Sequence, residues 1–172
     1  MNNSIYTDKQ LIELAKKEYD PNNKVGERVF IDRGKTFIGH ISEVNHKAWG
    51  EDSYVVTDVK LPENPTAEDY AKVKNVTILY EGSTAKLKSH PIKTLTDWIP
   101  NNFVMGFTIL APEALIPQRA PQMEEASETL QKALKTYPNA KIDIFAHSLG
   151  LMDGYGALAD VKAEDAHRIR GA

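Results

Sequence analysis

An α/β architecture is predicted for this chain: a mainly parallel central sheet with flanking helices, incomplete on its C-terminal side. Three features predict it. Residues 140–145 (Ala-Lys-Ile-Asp-Ile-Phe) read as an apolar strand that runs into Ala146-His147-Ser148-Leu149-Gly150 and then into a helix-like segment. Gln122–Tyr137 carries Met123, Ala126, Leu130, Ala133, Leu134 and Tyr137 on one helical face, so an amphipathic helix delivers the chain to that strand. Val76–Tyr80 is a second apolar run of buried-strand length. Strand, helix, strand, helix in this order implies right-handed parallel crossovers, with a site at the C-terminal ends of the strands.

The remaining elements follow in order. Between Thr7 and Tyr19, Leu11, Ile12, Leu14 and Ala15 recur at helical spacing behind a Thr7-Asp8 start signal, and Asp20-Pro21-Asn22-Asn23 stops the pattern. Arg28–Ile31 and Thr36–Ile41 are short β-rich runs separated by Asp32-Arg33-Gly34-Lys35, a hairpin signal. Ser53–Val59 is a further β-rich run. Leu61-Pro62-Glu63-Asn64-Pro65 then breaks the chain, and Thr66–Lys72 reads as a short helix capped by Thr66. From Glu81 to Pro121 six residues, Gly82, Pro91, Pro100, Pro112, Pro117 and Pro121, punctuate a loop-rich stretch in which only Phe103–Leu110 is long enough to be an element. Pro138-Asn139 ends the helix before the 140–145 strand. A last helix is expected from Leu151 to about Ile169, although Gly154 and Gly156 each cost it roughly 1 kcal/mol of propensity relative to Ala. Small residues there permit a close approach of helix to sheet. One domain is expected over 1–172, with 1–65 a β-rich lead-in and 66–172 the core; no repeat or linker divides it.

The 172 residues are 41% hydrophobic with a net charge of -3 from interspersed acids and bases, which fits a globular domain with a real core and gives no basic surface for nucleic acid. No cysteine is present, so disulfide and thiol chemistry are excluded. The first residues lack a basic region followed by an apolar one, and no run reaches transmembrane length. The expectation is a chain without an integral membrane segment, located in the cytoplasm or exported by a route that uses no signal peptide.

The chemistry concentrates at residues 146–150. A serine flanked at two residues on each side by small residues, here Ala146 and Gly150, between a strand and a helix, is the pattern of a nucleophile elbow. Serine is also a favoured helix N-cap, so the five residues alone admit a purely structural reading. Two further stretches bear on the choice: Val76-Thr77-Ile78-Leu79-Tyr80-Glu81-Gly82-Ser83-Thr84, and Asp97-Trp98 followed by Asn101-Asn102. Together with Tyr137-Pro138-Asn139-Ala140 ahead of the elbow, they resemble the class 3 (fungal-type) lipase family of α/β-hydrolases over roughly residues 70 to 160. The lead-in also resembles lipase-like modules of Gram-positive bacteria.

The resemblance implies an α/β-hydrolase fold and a role for each matching residue. Ser148 would be the nucleophile, and the backbone N–H groups of Ser83 and Leu149 would form the oxyanion hole. Gly82 would let the loop turn toward Ser148. Trp98 reads as a packing residue and Asp97 as a loop-bracing acceptor. The chain departs from the family pattern at three places. Ala146 replaces the first glycine, Glu81 stands where the family has arginine, and Leu151 replaces a second glycine.

A serine hydrolase of this type carries its acid and histidine after the nucleophile. After Ser148 the only histidine is His167 and the aspartates are Asp153, Asp160 and Asp165. On a continuous helix His167 would lie about 24 Å from the elbow. His147 adjoins Ser148 but points to the other face, and His40, His46 and His90 lie upstream. The acid and histidine are therefore expected beyond residue 172, and the chain is read as the N-terminal part of a longer domain. Three functions remain open: a serine ester hydrolase, lipase or phospholipase-like, acting on an ester or lipid substrate through an acyl-enzyme at Ser148; an inactive lipase-fold module that binds a lipid or protein partner; or a cytosolic thioesterase or peptidase on the same scaffold, which shares the elbow and differs only in pocket shape. No metal-ligand spacing occurs and no cofactor is expected. An incomplete sheet would expose an edge and favour self-association.

Overall fold

Thr7 starts the first helix by a reciprocal cap: its hydroxyl accepts from the Gln10 amide at 3.4 Å, and Gln10 Oε1 accepts from the Thr7 amide at 2.8 Å. The computed structural model describes residues 6–18, 20, 22–81, 121–146 and 150–171. Within them the elements are α1 (Asp8–Glu18), β1 (Arg28–Ile31), β2 (Thr36–His46), β3 (Asp52–Thr57), α2 (Ala67–Lys72), β4 (Asn75–Tyr80), α3 (Pro121–Thr136), β5 (Lys141–Ala146), α4 (Gly150–Ala159), a 3-10 turn (Ala166–Arg168) and β6 (Ile169–Gly171). The strands form one sheet in chain order, so the lead-in strands and the core strands share it.

The sheet is mixed, which corrects the expectation of a mainly parallel one. β1 to β4 pair antiparallel, and only β4 with β5 and β5 with β6 run parallel. The reason lies in the connections. Short turns such as Asp32–Lys35, where Asp32, Arg33 and Gly34 all take positive φ, can only reverse a strand. A parallel neighbour needs a crossover of a dozen or more residues, as the chain has after β4 and after β5; residues 58–74, which include α2, are also long enough for one but return β4 antiparallel beside β3.

Strand alternation divides the core between two helical layers. Val76, Ile78 and Tyr80 of β4 and Ile142 and Ile144 of β5 pack with Ala126, Leu130, Ala133 and Leu134 of α3 and with Ala157 of α4. Leu79, Phe145, Tyr54, Val56 and Ile41 turn to the other face, where Leu14 and Leu11 of α1 meet them. Ile12, expected on the buried stripe, is 58% exposed instead. The result is an α/β class fold with helices on both faces of the sheet.

The C-terminal region departs most from the sequence reading. The last helix stops at Ala159, ten residues short of Ile169, and a further strand, β6, follows. Arg168 accounts for the change of direction. Its guanidinium is buried and donates to the carbonyl of Leu134 in the last turn of α3 and to those of Tyr137 and Ala140 just beyond it, while Asp165 accepts from Nη1 at 3.1 Å. A helix running on to Ile169 could not bring that side chain under the end of α3. β2 is also longer than expected, reaching His46, with its register shifting between Ile41 and Glu43. The element expected at Phe103–Leu110 lies outside the described residues.

Candidate active site

β4 and β5 are matched residue by residue from Asn75 opposite Lys141 to Tyr80 opposite Ala146. The two strands therefore end level, about 4.8 Å apart. Residue 81 continues from one end and residue 147 from the other. β5 stops at Ala146 and α4 begins at Gly150, with three residues between, so a strand is followed closely by a helix as expected of an elbow. Ser148, Leu149 and Ser83 themselves lie outside the described residues, as do His147, Gly82, His90, Asp97, Trp98, Asn101 and Asn102.

The framework around that turn explains the small residues. A Cβ on Gly150 would stand 2.4 Å from the Tyr80 carbonyl oxygen and 3.1 Å from its carbon, so the first turn of α4 rests directly on the end of β4. A Cβ on Gly154 would touch that of Ala146 at 3.4 Å, and one on Gly156 would meet Met123 Cε at 2.9 Å. Glycine at these positions seats α4 against the sheet and against α3. Leu151, in place of a second glycine, is 46% exposed and takes no part in that packing.

Polar groups at the same end of the sheet are buried. Gln122 Nε2, in the first turn of α3, donates to Asp153 Oδ2 of α4 at 2.6 Å, and both side chains are buried. The Tyr80 hydroxyl donates to the Ala126 carbonyl at 2.8 Å; burial, with the Glu51 and Asp153 carboxyls nearby, holds its pKa well above the ordinary range. Glu81 is buried on the opposite face, where the Tyr54 hydroxyl donates to its Oε2 at 3.4 Å and its amide donates to the Asp52 carbonyl at 2.9 Å. Burial and the Glu81 charge raise the Tyr54 pKa. A carboxyl thus occupies the place where the resembling family has a guanidinium, and it is held by a tyrosine.

The described histidines separate by position. His40 sits opposite Thr57, which pairs with Val76 at the start of β4, so it lies at the other end of the sheet. His167 precedes β6, and its carbonyl accepts from Lys141 Nζ at the start of β5, about 17 Å along the strand from Ala146. It is remote because the chain has turned back, not because it extends a helix. His46 is at the right end, its Nδ1 2.8 Å from Asp52 Oδ1, but on β2 it is three strand spacings, about 14 Å, from β5. The His46–Asp52 pair was not read from the sequence; the signal was the turn Lys47–Gly50 between them, which makes them cross-strand partners.

Among the described residues no group of three or more His, Asp or Glu side chains could hold a metal, and no helix is long and apolar enough to cross a membrane. No family model, curated protein or solved structure matches the chain.

Proposed function

We propose that the chain carries the nucleophile-bearing part of a serine ester hydrolase of the α/β-hydrolase type, lipase or phospholipase-like. The observation that carries this reading is the level ending of parallel β4 and β5, with Gly150 seated on the Tyr80 carbonyl. That arrangement sets Tyr80 and Ala146, the last residues of the two strands, side by side at one end of the sheet. In the proposed reaction the Ser148 hydroxyl attacks the ester carbonyl, and the N–H groups of Ser83 and Leu149 stabilise the oxyanion. The Ser148 proton passes to a histidine and then to the departing alcohol, and water completes hydrolysis of the acyl-enzyme. In this proposal the acid and histidine lie beyond residue 172; among the described histidines, His40, His46 and His167 all lie away from the end of β5.

That same positioning of the described histidines favours a second reading, a catalytically inactive lipase-fold module that binds a lipid or protein partner. Hydrolysis of a short-chain p-nitrophenyl ester separates the two. The 172-residue chain is expected to turn over ester at no more than about 10³ to 10⁴ times the uncatalysed rate, the residue left when a triad member is missing. A protein continuing into an acid-bearing and a histidine-bearing loop should be fully active and lose that activity on Ser148→Ala. Failure of that longer protein to hydrolyse any ester would leave the binding module. Ordinary enzymatic rates from the 172 residues alone would show that the base lies within them.

A further inference from the structure

Three nitrogen-bearing side chains gather around the first half of β2. Arg28 of β1 stands opposite His40 in the ladder, with its guanidinium carbon 4.8 Å from the Phe30 ring centre and 5.1 Å from that of Phe37. The His40 ring meets Phe37 edge-on at 5.1 Å. Lys60, in the segment after β3, lines the same cleft as His40. Burial, then the charges of Arg28 and Lys60, lower the His40 pKa. Its Nδ1 is buried without a hydrogen-bond partner. Among the described residues neither Arg28 nor Lys60 is engaged by a carboxylate.

Beside this cluster a cleft of about 970 Å³ runs along β2, bounded by the end of α3 and by the proline-containing segment before α2. His40 and Lys60 line it, and Leu61, Pro62, Pro65 and Tyr70 give it an apolar wall. Of the carboxylates on its walls, Glu43 is taken by Lys132 and Glu63 lies on the exposed segment. Unpaired positive charge at one end and an apolar wall beyond it suit a ligand with a single anionic group on an apolar body.

We propose that this cleft binds an organic monoanion with an apolar body, of which a medium-chain carboxylate is the simplest member. Its carboxylate meets His40 and Lys60, with Arg28 behind them, and its chain lies along Leu61, Pro62 and Tyr70. The His40 end of the cleft is level with the start of β4 and β5, away from Tyr80 and Ala146, and the proposal does not rest on the reaction proposed for Ser148.

Calorimetric titration of the 172-residue chain with decanoate, decan-1-ol and inorganic phosphate tests it. Decanoate should bind saturably at one site, at least about tenfold more tightly than decanol or phosphate, and Lys60→Ala should weaken it about tenfold. Lys60 is exposed, so that variant keeps the fold, and Lys135→Ala on the exposed side of α3 should leave binding unchanged. His40→Gln should also weaken decanoate. The proposal fails if decanoate shows no saturation, if decanol or phosphate binds as tightly, or if Lys60→Ala and Lys135→Ala have the same effect.

Discussion

Glu51 has no exposed surface; its Oε1 accepts from the Thr129 hydroxyl at 3.2 Å, and its Oε2 is buried without a partner. Burial raises its pKa above the ordinary 4.5, with Glu125 adding to the rise while Ser53, Lys47 and Thr129 oppose it. The folded state therefore holds this proton more tightly than the unfolded one. The residue's contribution to stability is fullest below pH 4.5 and is lost as pH rises through the raised pKa. Glu51→Gln keeps an acceptor for Thr129 and removes the titration, so its stability relative to the wild type should improve between pH 4.5 and pH 7. Urea unfolding at the two pH values checks this, and a difference independent of pH would contradict it. At Gly150 the constraint is steric. Gly150→Val must displace the start of α4 from the Tyr80 carbonyl, at a cost of about 1–3 kcal/mol in the same unfolding assay, and should abolish any activity at Ser148.

At the scale of elements, α1, β4, α3 and β5 were legible because each carries its own signal: a capped apolar stripe, or a β-branched run between breakers. α2 was legible from Thr66 alone, whose hydroxyl accepts from the Asp69 amide while Asp69 accepts from the Thr66 amide. Thr66→Ala should cost about 1 kcal/mol. What was not legible depends on partners distant in sequence. β6 is three residues long, and its place is set by Arg168 beneath the end of α3 and by the pairing of Arg170 with Asp143 on β5. No local pattern announces either. Arg168→Met keeps the aliphatic stem but removes the guanidinium donor from the Leu134, Tyr137 and Ala140 carbonyls, of which Tyr137 keeps the Ala140 amide. It should destabilise the protein by about 2–4 kcal/mol, seen as a lower urea midpoint. The candidate site divides in the same way. Ala146 and Gly150 could be read from their spacing, and packing explains them, whereas Gln122–Asp153 and His46–Asp52 join residues that only the assembled sheet brings together.

For the whole molecule, the two halves of the sheet have different characters. The antiparallel half runs from β1 to β4, and the parallel β4–β6 half ends at a three-residue strand whose outer side faces no other described strand. An edge of that kind is a template for a further strand, so the 172-residue chain should self-associate with rising concentration in sedimentation velocity runs. A monomer at all concentrations, with one sharp reversible unfolding transition, would contradict this. The proposed role of Ser148 as a nucleophile is tested most directly by covalent labelling with a fluorophosphonate followed by peptide mapping. In a protein whose chain continues past residue 172 into the acid and the histidine, the account predicts one adduct per chain, on Ser148, absent from Ser148→Ala. An adduct on any other residue, or ester turnover in a protein that takes up no label, would contradict it.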